Sequence, residues 1–168
     1  MRINIGLILS LILVAGTASA QGKYAGTKKS LLGKTFTDSR QLTALKGWQF
    51  REGSVITPID NPETIIIEVF QKGTTCIVIA SIKEDTAMTE SVIADVVEVK
   101  NVLKGWQIRT AFCRSNKIEN IEIVAHVKSS TTQEFLKPAK QAWRFNRDKR
   151  RFEVLSIKGI DCISEGGD

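Results

Sequence analysis

Few side chains in this chain could carry chemistry, and they are scattered. His126 is the single histidine, set in the alternating run Ile123-Val124-Ala125-His126-Val127-Lys128. There it reads as a strand residue holding one hydrogen bond. As a general base or metal ligand it would need partners at recognisable spacing, and the cysteines and carboxylates do not supply them. No G-x-S-x-G elbow, G-x-x-x-x-G-K loop or G-x-G-x-x-G loop occurs, so nucleophile-elbow and phosphate-loop chemistry have no anchor. The acids are dispersed, without the paired placement of a two-carboxylate hydrolase. Neither a metal nor a cofactor is expected.

Three cysteines, Cys76, Cys113 and Cys162, allow one bridge and one leftover thiol. Cys76 lies in Thr75-Cys76-Ile77-Val78-Ile79-Ala80, apolar on both faces, where a free cysteine serves as a small buried hydrophobe. Cys113 closes a strand before a polar turn and Cys162 sits near the C-terminus, so the expected bridge is Cys113–Cys162. Closing a loop of about 50 residues stabilises by roughly 4 kcal/mol on the chain-entropy model. Without a Cys-x-x-Cys pair its role is structural.

Two features could bind a partner. Arg147-Asp148-Lys149-Arg150-Arg151 is the densest charge run. It reads either as a solvated hairpin tip or as a contact in which Arg147, Lys149, Arg150 and Arg151 meet carboxylate or phosphate. The second feature is an echo: Leu45-Lys-Gly-Trp-Gln-Phe-Arg51 recurs 58 residues on as Leu103-Lys-Gly-Trp-Gln-Ile-Arg109, identical in six of seven places. The same offset lays Ile65–Val69 over Ile123–Val127. An imperfect internal duplication follows, in which Trp48 and Trp106 are either two equivalent core corners or two binding ridges. The hydroxyl-rich stretch Ser129–Gln133 reads as a connecting loop.

The elements that would position these residues are mostly strands. Asp38 as N-cap, Gln41 three residues on and Gly47 at the end predict a short helix over about 38–46, with Leu42 and Leu45 facing the core. Glu63–Ser81 reads as a hairpin with Lys72-Gly73 at its tip and burial on both faces. Ser91–Leu103 leans to strand, and Trp106–Cys113 and Ile121–Lys128 are further strands. In the last hairpin, Phe145 opposite Phe152 puts Trp143 opposite Val154 on one apolar face and Arg144 opposite Glu153 on the other.

Residues 1–20 combine Arg2, an apolar run over Ile5–Val14 and Ala18-Ser19-Ala20, the form of an export signal cleaved between Ala20 and Gln21. That run is short of the about 20 apolar residues a membrane span needs. Cleavage would leave 148 residues of charge +5 in a periplasmic or secreted setting that permits disulfides. With 42% apolar and 25% charged residues, the chain is composed like an ordinary globular domain. A basic exported protein meets a protein or an anionic envelope polymer; nucleic acid is not expected there.

The closing segment, Ala142-Trp-Arg-Phe through Arg150-Arg-Phe to Cys162, resembles the C-terminal quarter of small exported bacterial proteins of uncharacterised function. The resemblance implies an envelope setting and carries no active site with it. The expectation is a signal peptide over 1–20, a flexible segment over 21–34 and one α+β domain over 35–168, mainly antiparallel sheet with a short N-terminal helix. Its expected function is binding without catalysis in the bacterial envelope, most sharply as an inhibitor or immunity protein against an envelope-acting enzyme. The alternatives are an accessory or structural component of an envelope assembly, such as a secretion or surface-appendage system, and a small hydrolase.

Overall fold

The density of Ile and Val between Thr64 and Val99 becomes three consecutive antiparallel strands in the computed structural model, which describes residues 25–57, 63–85 and 89–164. The predicted signal and its cleavage point lie outside those residues. Helix α1 (Ala25–Leu31) precedes β1 (Thr35–Phe36), two 3-10 turns (Ser39–Gln41 and Thr43–Leu45), β2 (Gln49–Ile56), β3 (Thr64–Lys72), β4 (Thr75–Lys83) and β5 (Ser91–Val99). Then follow β6 (Trp106–Thr110), β7 (Cys113–Ser115), β8 (Ile118–Glu119), β9 (Ile123–Lys128) and β10 (Phe135–Leu136). The chain closes with β11 (Ala139–Asn146), β12 (Arg151–Val154) and β13 (Ile160–Ile163). No helix among the described residues is long and apolar enough to cross a membrane.

Three sheets result, ordered β1-β5-β4-β3-β2, β12-β11-β9-β6 and β10-β13-β7-β8. They stack in layers because the middle sheet is apolar on both faces. Val124, Trp143, Phe145 and Phe152 meet Ile65, Ile67, Val69 and Val78 of the first sheet. From the opposite face, Ile123, Ala125 and Val127 meet Cys113, Leu136, Ile160 and Cys162 of the third. The outer face of the first sheet is closed by Leu31 and Leu45 over Phe70, Ile77 and Ile93.

Both copies of the Leu-Lys-Gly-Trp sequence fold into the same corner. Gly47 and Gly105 take φ of +79° and +81°. Trp48 N donates to Leu45 O at 2.9 Å, and Trp106 N to Leu103 O at 3.0 Å. Lys46 at φ −57°, ψ 124° completes a type II turn, which demands glycine at its third place. Each turn feeds a strand that begins an antiparallel meander, β2-β3-β4-β5 in one sheet and β6-β9-β11-β12 in the other.

The register of the last hairpin is as expected: Phe145 pairs with Phe152, Trp143 with Val154 and Arg144 with Glu153. Val154 departs from the burial expected of it. It is 80% exposed, at the end of β12, the edge strand of the middle sheet. The helix predicted over 38–46 is also different. Its Asp38 cap forms, accepting from Arg40 N, but Leu42 at φ −64°, ψ 123° interrupts the run, leaving two 3-10 turns that still bring Leu45 into the core. The α-helix lies instead at Ala25–Leu31, in the stretch read as loose, where Leu31 is fully buried.

Candidate functional site

The basic hairpin tip does not stand as a free cationic knob. Arg147 donates to Glu122, Lys149 Nζ to Glu153 at 2.7 Å and Arg150 Nη2 to Glu63 at 2.7 Å, with Glu84 at 3.5 Å from the same guanidinium. Three of the four predicted contact cations are thus satisfied within the molecule. Arg151 is exposed beside them. Exposed pairs of this kind contribute little to stability, but they cancel the field that would attract an anion.

Both tryptophans are half-buried. Trp48 packs against the cluster under Leu45. Trp106 meets His126 edge-on at a centroid distance of 5.3 Å, and Lys140 Nζ lies over its ring at 3.7 Å. His126 itself is 1% exposed, and neither ring nitrogen has a hydrogen-bond partner. Burial lowers its pKa. Gln141, its cross-strand neighbour on β11, pulls upward without completing a bond, and Lys140 adds to the lowering.

This environment keeps His126 neutral and gives acid sensitivity of a definite sign. Its folded-state pKa lies below the unfolded value of about 6.5, so its contribution to stability is complete above that pH and is lost as pH falls toward the folded value. Denaturant midpoints at pH 7.5 and 5.0 are expected to differ less in His126→Met than in the parent chain. Equal slopes in the two proteins would remove His126 from the account.

Two carboxylates, Asp38 and Glu68, line one pocket beside Phe36 and Phe50. Burial raises the Glu68 carboxyl, while Ser39 Oγ donates to it at 2.7 Å. Asp38 is held low by Arg40, which donates from Nε at 2.9 Å, Nη2 at 3.1 Å and its backbone N–H at 3.0 Å. With both oxygens engaged by Arg40, Asp38 is a cap, not a base. Among the described residues no group of three or more His, Cys, Asp or Glu could hold a metal ion.

The site with the clearest binding character was not anticipated. A cleft of about 670 Å³ opens at the end of the third sheet, lined by Asn116, Lys117, Lys137, Pro138, Ala139, Ile157, Lys158, Gly159, Ile160 and Asp161. Its three lysines come from three separate connections: the β7–β8 turn, the β10–β11 link and the β12–β13 link. All three are exposed, and none has an acidic partner among the described residues. Asp161 is taken up by Arg114, which donates at 2.7 and 3.0 Å and lies 3.4 Å over the Phe135 ring. The floor is apolar, from Pro138, Ala139 and Ile160.

Backbone geometry fixes this rim. Asn116 and Lys117 are the two residues between Ser115 and Ile118, with φ of +52° and +69°, the left-handed pair of a type I′ hairpin turn. Asparagine tolerates that region; lysine is strained there, at a cost of order 1 kcal/mol. Asn116 N donates to Gly159 O at 2.8 Å. Gly159 has φ of +77°, and a Cβ there would come 2.3 Å from Asn116 Oδ1. Glycine there lets the two loops close without backbone strain and without displacing the Asn116 side chain.

No family model matches this chain, and neither a curated protein nor a solved structure does.

The sequence singled out the charge run at 147–151, whereas Lys117, Lys137 and Lys158 are isolated along the chain. One local signal could have found part of the site: Asn-Lys between two short strands, where Asn-Gly would be the unstrained choice.

Proposed function

We propose that this protein is an exported, non-enzymatic binding protein of the bacterial envelope, trimmed at Ala20–Gln21, whose anionic partner docks in the Lys117–Lys137–Lys158 cleft. The single observation that carries this reading is the convergence of three unpaired lysines over an apolar floor. Elsewhere, cations that were candidates for the same work are cancelled by Glu63, Glu84, Glu122 and Glu153. An inhibitor or immunity protein is the narrower form, with the cleft receiving an acidic segment of the opposing enzyme. We also infer that the chain is α+β by descent from a duplicated unit. The support is the shared type II turn, the two meanders and the contact of Glu52 with Thr110, which occupy equivalent places at the 58-residue offset.

The test is a titration with polyglutamate, followed by tryptophan fluorescence at about 0.15 M salt, where screening suppresses diffuse attraction. Lys117→Ala/Lys137→Ala/Lys158→Ala is expected to weaken binding roughly tenfold or more. Arg147→Ala/Arg150→Ala/Arg151→Ala is expected to leave it within about twofold. The reverse ranking would move the site to the hairpin tip and overturn the assignment.

A further inference from the structure

Two exposed isoleucines stand beside the cleft lysines, Ile157 on the cleft lining and Ile118 outside it. Ile118 follows Lys117 and is 73% exposed; Ile157 precedes Lys158 and is 48% exposed. The bond from Asn116 N to Gly159 O joins the two loop tips, so each tip carries one aliphatic side chain next to one cation, and Lys137 flanks them. In β8, Ile118 and Glu119 point to opposite faces, and Glu119 lies opposite Arg114 in the pairing of β7 with β8. The one acid on the tip is therefore directed to the outer face of the sheet, away from the apolar side.

Ile118 shares its side of the sheet with Ser115, Ile160 and Cys113 by register. That side is buried against the middle sheet at Cys113 and Ile160 and uncovered at Ile118. The apolar face of the third sheet thus runs past its cover and ends among lysines. Lysine contacts lipid phosphates as a compact point charge on a long apolar stem, and aliphatic side chains settle at the boundary between headgroups and acyl chains. A soluble acidic protein or polymer offers charge but no such boundary.

We propose that the joined tips, with Lys137, dock this protein onto an anionic lipid bilayer, Lys117, Lys137 and Lys158 taking the headgroup phosphates and Ile118 and Ile157 entering the interface. This rests on the cleft being the anion site and names the surface it meets. Attraction to an anionic bilayer amounts to about fivefold in binding for each lysine near the surface. Three lysines and two isoleucines therefore give reversible attachment, not insertion. The backbone adds a discriminating variant: Lys117→Gly relieves the left-handed strain while removing one contact, so it raises the thermal midpoint and weakens docking together.

The experiment is cosedimentation of the full mature chain with vesicles of phosphatidylglycerol and phosphatidylcholine, and with vesicles of phosphatidylcholine alone. Binding is expected only to the anionic vesicles. Ile118→Ser, outside the cleft lining, is expected to lower it severalfold while leaving polyglutamate binding unchanged, Ile118→Ser/Ile157→Ser to lower it at least fivefold, and Lys117→Gly to lower it about fivefold in a protein of raised thermal midpoint. Vesicle binding that survives loss of both isoleucines overturns the bilayer assignment and leaves the cleft as a site for an acidic protein or polymer. Full displacement by millimolar glycerol phosphate also overturns it, in favour of a soluble phosphate ligand. If the triple lysine variant binds both vesicles and polyglutamate like the parent, the anion site itself falls.

Discussion

Replacing both Cys113 and Cys162 by alanine is expected to destabilise the protein by about 4 kcal/mol. The bridge joins residues 49 apart that face each other directly across β7 and β13, with Cα atoms 3.9 Å apart. Its sheet is small: the four strands are two, four, three and two residues long, at or below the short end of the usual range. Both cysteines are also fully buried against Ile123 and Leu136, so truncation to alanine adds a small cavity. Urea unfolding of the double variant checks this, with a midpoint drop and a loss of thermal midpoint on the order of 10 °C. A loss below about 1 kcal/mol would mean that the apolar contacts of the third sheet suffice without the covalent link.

The second large effect is expected at Glu52. Its carboxylate spans the first and middle sheets, accepting from Arg109 Nη1 at 3.0 Å, Thr110 N at 2.7 Å and Thr110 Oγ1 at 2.9 Å. The Arg109 side chain is 7% exposed and that of Glu52 18%, so water can replace little of what is lost. Removing one member of a buried pair leaves an uncompensated charge and costs about 3–5 kcal/mol. Glu52→Ala is expected in that range by chemical denaturation. Because an apolar pair of similar volume avoids the desolvation cost, Glu52→Leu/Arg109→Met is expected to recover most of the loss. A Glu52→Ala protein within about 1 kcal/mol of the parent would show that the contact between sheets rests on packing alone.

What could be read from the sequence follows from how local each feature is. The pairing of Phe145 with Phe152 was legible because alternation over eight residues fixes which side chains share a face. The Cys113–Cys162 bridge was legible because Cys76 sits in a run apolar on both faces, leaving the other two. The Leu-Lys-Gly-Trp corner was legible as a repeat, and its glycines carry the positive φ that explains their presence. The neutralised hairpin tip was not legible, since Glu63, Glu84 and Glu122 reach it from positions 87, 66 and 25 residues away. The lysine cleft was hidden for the same reason: each cation is isolated in the chain, and only the closing of two loops and a link brings them together. Helix α1 was missed because Gly- and Lys-rich sequence says little by itself; Leu31 holds it down by tertiary packing.

Cys76 sits in the middle of the first sheet, 3% exposed, and burial pushes its thiol up to about 11. Only the thiolate attacks a disulfide, and at neutral pH that pKa leaves on the order of one molecule in ten thousand deprotonated. The folded chain therefore keeps its own scrambling reagent disarmed. Mispairing is confined to molecules in which β4 has already come apart, so the fidelity of the cross-link is guarded by a layer of the protein that never touches it.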